Sequence, residues 1–199
     1  MGNGGHLALR LNLKHLLILL AILAASVGFG FAFDGILTAW EKHTHPRPEE
    51  FREEIAQNAQ EYALPEAILW ASACVESNFA SNAKGEDGSI GLLQIHPDRF
   101  AQIREEILEL PPIEGGMLYD PATNLQSGAA YLSHLYHRYG VWDTVFAAWA
   151  TDEKTVDAWL KDPAYTNDGG TLSQIPDAKA KDFVEQMRKA VALYTKLYY

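Results

Sequence analysis

A single cysteine, Cys74, in 199 residues excludes an internal disulfide framework and any multi-cysteine zinc or iron–sulfur site. Basic residues are scarce as well. The 16 Lys and Arg stand against 26 Asp and Glu, for a formal net charge of −10. A nucleic-acid binder needs a basic surface, so no nucleic-acid partner is expected. No convincing alternating apolar–polar run and no internal repeat occurs, which leaves little basis for a sheet. What is present is apolar material in quantity. Hydrophobic residues make up 48% and charged ones 21%, the balance of a folding chain and not of a disordered one.

Charge is absent altogether over residues 16–33, LLILLAILAASVGFGFAF. A membrane-spanning helix needs roughly 17–25 such residues, and a signal-peptide core is usually about 7–15. Arg10 and Lys14 precede the run and Asp34 follows it. Positive charge tends to stay cytoplasmic, so the remainder of the chain is expected on the exported side. The reading is a single-pass inner-membrane anchor with its N-terminus inside and the domain in the periplasm. Cleavage near Gly30-Phe31-Ala32, giving a secreted or periplasmic form, is the alternative. Residues 1–33 are thus a signal anchor or signal peptide. Residues 34–48, ending in HTHPRP, read as a linker, and 49–199 as one folded domain. His43 and His45 lack further ligands at suitable spacing, so no metal site is expected there. Arg10 and Lys14 fall within the first 33 residues and no acid does, so the remaining 166 carry −12. A domain of that size buries roughly 70% of its unfolded surface and folds without staples.

From Pro48 onward the periodicity is helical. Phe51, Ile55, Ala59 and Tyr62 share one face of a helix whose first turn is acidic. Pro65 opens a second helix, PEAILWASACVES, apolar almost all round and therefore central. Asp98 can cap a helix running to about residue 108. Asp120 followed by Pro121 starts another that stops at Gly140. Short helices are expected over 142–150 and 153–161, and a last one over 177–197. The architecture is all-α, with about seven helices and two sizeable loops.

Glu76 lies in the last turn of the apolar helix. The residues sharing its face are Leu69, Ser72 and Ala73, none of them charged. If that face is buried, the carboxyl is poorly solvated, its neutral form is favoured and its pKa rises. A carboxylic acid still protonated near neutral pH can donate a proton to a leaving oxygen. Most glutamates at helix ends are simply solvated, so position alone does not decide. The loop that follows adds Gly85, Gly88 and Gly91, which permit unusual dihedrals and close approach, together with Ser89 and Gln94 as hydrogen-bonding groups. Cys74 reads as a core residue, with no neighbouring histidine to activate it.

The run ESNFASNAKGEDGSIGLLQIHP, residues 76–97, resembles the signature of the soluble-lytic-transglycosylase (SLT) domain. That pattern has a Glu-Ser pair, a loop, then Gly-(Ala/Ser)-x-Gly-Leu-(Met/Leu)-Gln. YDPATNLQSGAAYLSHLYHRYG, residues 119–140, is similar to the family's second motif, and FAAWATDEKTVDAWL with IPDAKAKDFV is a weaker third match. The resemblance covers roughly residues 60–190. It implies a lysozyme-like α domain, with room for a minor irregular or β element in the loop after Glu76. It implies cleavage of the β-1,4 bond between N-acetylmuramic acid and N-acetylglucosamine in peptidoglycan glycan strands, without metal or cofactor. Glu76 would be the single acid and base, giving 1,6-anhydromuramoyl ends. Ser77, Gly88, Ser89 and Gln94 would bind substrate, and Trp149 would stack on a sugar.

The chain also departs from the family. The usual Ala-Tyr-Asn-Ala-Gly is Ala148, Trp149, Ala150, Thr151 and Asp152 here, and the late Glu-Thr-Arg is Lys179, Ala180 and Lys181. Gly85 and His96 stand where relatives often carry serine and methionine. Two other readings stay open. One is a goose-lysozyme-like hydrolase with Asp87 as second carboxylate. The other is a non-catalytic glycan-binding module in an envelope-spanning machine, whose protein partners the sequence does not identify.

Overall fold

The computed structural model describes residues 13–199. Arg10, the first base of the expected anchor, lies outside the described residues, as does the side chain of Lys14. The chain divides into two compact units, Met1–Thr44 and His45–Tyr199.

In the first unit a single helix, α1, runs over Leu13–Thr44. Its Leu16–Thr44 stretch is long and apolar enough to cross a membrane, and none of its apolar window is buried in protein. The segment expected as a linker over 34–48 is helical as far as Thr44. Between Phe33 and Thr44 the weakest helix former is Gly35, whose cost of about 1 kcal/mol a long helix absorbs. The stop comes from Pro46, which disfavours helical dihedrals at His45.

The second unit contains seven helices. They are α2 (Arg52–Glu61), α3 (Glu66–Ser77), α4 (Pro97–Gln102), α5 (Pro121–Tyr139), α6 (Trp142–Ala150), α7 (Glu153–Trp159) and α8 (Ala178–Tyr198). Short 3-10 turns occupy Glu49–Phe51 and Gly115–Tyr119. The helix expected to reach residue 108 changes to a π turn over Ile103–Ile107. No strand forms among the described residues. The loop after Glu76 contains only the isolated bridges Lys84–Ile90 and Ile90–Ile95.

The all-round apolar α3 is central, as its composition requires. Residues 67–73 are buried, and the helix packs against α2 and α8. Asn78 ends it in the left-handed conformation, with Asn78 and Phe79 N–H groups donating to the Cys74 and Ala73 carbonyls. Asp120 caps α5 as expected, its carboxylate accepting the Thr123 N–H. The cap of α4 differs from expectation. Pro97 occupies the first helical position, so the cap falls on His96, whose Nδ1 accepts the Asp98 N–H at 3.2 Å.

The loop over 78–96 is held from below by Asn124 of α5, which is fully buried. Its Oδ1 accepts the Leu93 N–H, and its Nδ2 donates to the Ile90 and Leu118 carbonyls, all at 2.9 Å. Gly91 makes room for this. Its φ is +81°, and a Cβ there would lie 2.3 Å from both Asn124 Nδ2 and the Leu118 oxygen.

Candidate active site

Glu76 reaches a cleft of about 560 Å³ from the C-terminal turn of α3. The 78–96 loop supplies one wall through Asp87, Ser89 and Gln94. Arg99 of α4, Trp149 of α6 and the Thr151–Asp152 turn form another. Lys179, Ala180 and Phe183 of α8 close the far side. The glutamate keeps part of its surface open to the cleft, while Ser72 behind it is buried and spends its hydroxyl on the Ile68 carbonyl. The loss of solvation pushes the Glu76 pKa from 4.5 up to about 7. A hydrogen bond from Trp149 and the positive charge of Arg99 oppose that rise, and the Asp87 charge adds to it.

Of the residues singled out in the sequence, Glu76, Ser89, Gln94 and Trp149 meet in this cleft; Ser77 and Gly88 do not line it. Ser77 turns inward, its hydroxyl donating to the Leu92 carbonyl at 2.8 Å and so fastening the loop to the end of α3. Gly88 takes φ +93° in the loop's turn, with its N–H on the Gly85 carbonyl. The Ser89 hydroxyl donates to Gln94 Oε1 at 3.1 Å, and Gln94 Nε2 donates to the Gly91 carbonyl at 2.7 Å. A Cβ on Gly85 would fall 2.2 Å from Ser89 Oγ. The absence of a side chain at Gly85 therefore accommodates the present Ser89–Gln94 arrangement.

Trp149 is placed differently from a sugar-stacking platform. Its ring is buried against Tyr131, with 5.7 Å between centroids, and its indole N–H donates to Glu76 Oε1 at 2.6 Å. Asp87 shares the cleft with Glu76 but is tied to the loop by the Ser89 N–H, which holds its carboxyl below the usual range. Lys179 and Ala180, the departures on α8, line the cleft; Lys181 points to a neighbouring groove with Asp143 and Arg188. Cys74 is half-buried, and burial raises its thiol above the ordinary value, as suits a packing residue.

Sequence reasoning missed Arg99. Its guanidinium donates to the Trp149 carbonyl at 2.6 Å and to the Thr151 carbonyl, and lies 5.3 Å from the Tyr131 ring centroid. These carbonyls end α6, where helical partners run out. A basic residue one turn after the loop was the only local signal.

The family model described as the transglycosylase SLT domain matches residues 53–169. The soluble lytic murein transglycosylase of Escherichia coli (strain K12) is 28% identical over 135 residues, covering 66% of this chain and 21% of that protein. The membrane-bound lytic murein transglycosylase E of Buchnera aphidicola is 33% identical over 89 residues, 43% of this chain and 39% of that one. The chain spans about a fifth of the length of the first of these relatives. Among solved structures, the 70 kDa soluble lytic transglycosylase of Escherichia coli superimposes with a TM-score of 0.68 at 21% identity, covering 78% of this chain and 25% of that one. The lytic transglycosylase Slt of Pseudomonas aeruginosa gives 0.63 at 23%, covering 75% and 25%. The fold is that of these enzymes' lysozyme-like domain. With more than half of its length inside the family model, the chain belongs to the transglycosylase SLT domain family.

Proposed function

We propose that the protein is a peptidoglycan lytic transglycosylase that cleaves the MurNAc-β-1,4-GlcNAc bond with Glu76 as its single acid and base. The observation that carries this is a glutamate at the end of a buried helix, facing an open polar cleft, whose burial raises its pKa to about 7 while the carboxyls of Asp87 and Asp152 in the same cleft are held below the usual range. Protonated Glu76 gives its proton to the glycosidic oxygen as the C1–O bond breaks. The substrate's N-acetyl group stabilises the cation at C1. The Glu76 carboxylate then removes the proton of the muramoyl 6-hydroxyl, whose oxygen bonds to C1. An anhydro end forms, no water is consumed and Glu76 is again protonated. Ser89 and Gln94 line the cleft and would orient the strand's acetamido groups, while Ser77 and Gly88 hold the loop that presents them. α1 would hold the enzyme at a membrane, as the membrane-bound relative's name also suggests; by the bases ahead of the apolar run, that would be the inner membrane, with the catalytic unit in the periplasm.

The test is digestion of purified peptidoglycan with products read by mass spectrometry. Anhydromuramoyl ends, lighter by one water than reducing ends, are expected. Hydrated reducing ends would instead make Asp87 the second carboxylate of a hydrolase, and binding without cleavage would leave a glycan-binding module. Because the first step requires protonated Glu76, kcat/KM is expected to fall as pH rises through about 7. A rate unchanged between about pH 6 and 8.5 would remove Glu76 as the acid.

A further inference from the structure

We propose that Trp149 is a positioning residue: its indole N–H, a donor that cannot accept, confines the acidic proton of Glu76 to Oε2, the oxygen left for the substrate. This rests on the catalytic reading above, but the hydrogen bond can be tested without it.

The geometry fixes one oxygen and leaves the other. Oε1 accepts the indole N–H at 2.6 Å, and Oε2 has no protein hydrogen-bond partner among the described residues. An indole offers no lone pair to an O–H. In a neutral carboxylic acid the carbonyl oxygen is a much better acceptor than the hydroxyl oxygen, so an indole N–H held at Oε1 favours the proton on Oε2. When Glu76 ionises, the same bond becomes charge-assisted and strengthens. One contact thus orients the acid before proton transfer and steadies the carboxylate after it. A tyrosine, which stands here in the family pattern, both donates and accepts, and its hydroxyl permits the acidic proton to turn away from the substrate.

The indole is itself fixed. Arg99 grips the Trp149 and Thr151 carbonyls and rests on Tyr131, which packs on the indole's ring. On α5, a Cβ at Gly128 would stand 3.4 Å from the indole Cη2, so the helix lies close against it. The charged and titratable groups around Glu76 in the cleft are Arg99, Asp87, His96, Asp98, Asp152 and Lys179. None of them hydrogen-bonds its carboxyl, so Trp149 alone makes that contact.

The experiment uses the full chain in detergent micelles, 15N-labelled, with the Trp149 indole signal identified by its loss in Trp149→Phe. In the wild type this signal should shift with a midpoint of about 7 and stay protected from exchange on both sides of it. In Glu76→Gln it should remain but stop titrating. On peptidoglycan, Trp149→Phe should lower kcat about 10-fold with KM changed less than about threefold, and move the alkaline limb up by about one pH unit. Trp149→Tyr should restore the limb but only part of kcat. An indole signal that never titrates overturns the proposal, as does a Trp149→Phe enzyme that loses only KM. If the wild type cleaves nothing, the catalytic reading fails, and the indole titration still decides this one.

Discussion

Glu76→Gln is expected to abolish cleavage and at the same time to make the fold more stable at pH 8. The loss follows from removing the only proposed proton donor, a contribution of roughly 10²–10⁴-fold in rate. The gain follows from linkage. Folding raises the Glu76 pKa from 4.5 to about 7, so between those values the folded state binds more protons than the unfolded one. Stability from this group is intact below about pH 4.5 and is lost as pH rises to about 7, after which the full penalty of an ionised carboxyl in a poorly solvating site persists. That gap corresponds to about 3 kcal/mol, or roughly 6–12 °C in Tm for a domain of this size. Glutamine carries no charge and keeps an amide oxygen for the Trp149 N–H. Thermal unfolding of both proteins from about pH 4 to 8 should give curves that coincide in acid and separate above pH 5. Parallel curves would mean that the cleft solvates Glu76 well.

The burial of Glu76 and its raised pKa were largely legible in the sequence, because they come from its own helix. An apolar α3 with no charged residue one or two turns below the glutamate implies burial whatever the rest of the fold does. The caps of α5 were legible for the same reason: Asp120-Pro121 and Gly140 act on adjacent backbone. What the sequence did not show depends on distant partners. Arg99 matters through carbonyls fifty residues later. Trp149 announced an aromatic ring but not which edge meets the acid. The resemblance gives Ser77 a substrate role, but successive helical positions diverge by about 100°, and next to Glu76 that turn aims the Ser77 hydroxyl at the loop backbone. The helix α1 runs on into the segment expected as a linker because, of the histidines and prolines in HTHPRP, only the prolines break a helix.

Asn124 connects this cleft to stability and gives the second large effect. Asn124→Ala strands the Leu93 N–H and the Leu118 carbonyl in the interior; the Ile90 carbonyl keeps the Ile95 N–H. Two buried groups without partners cost about 3 kcal/mol together, and the loop carrying Ser89 and Gln94 loses its support, so activity should fall with Glu76 intact. Asn124→Asp separates hydrogen bonding from packing. Its shape is nearly unchanged, and one oxygen still accepts from Leu93. The other now faces the Ile90 and Leu118 carbonyls, each 2.9 Å from the replaced amide nitrogen. A buried carboxylate against two carbonyl oxygens is unfavourable, so the folded state should hold a proton there and raise the new group's pKa. Protonated, it donates to one of the two carbonyls. By the same sign as for Glu76, its stability is present below the unfolded pKa of about 3.9 and lost as pH rises. Asn124→Asp is therefore expected to be more stable than Asn124→Ala near pH 4 and less stable at pH 8, a crossing that thermal unfolding would show directly. If the two variants keep the same order at every pH, the amide's donation to those carbonyls is not what holds the loop.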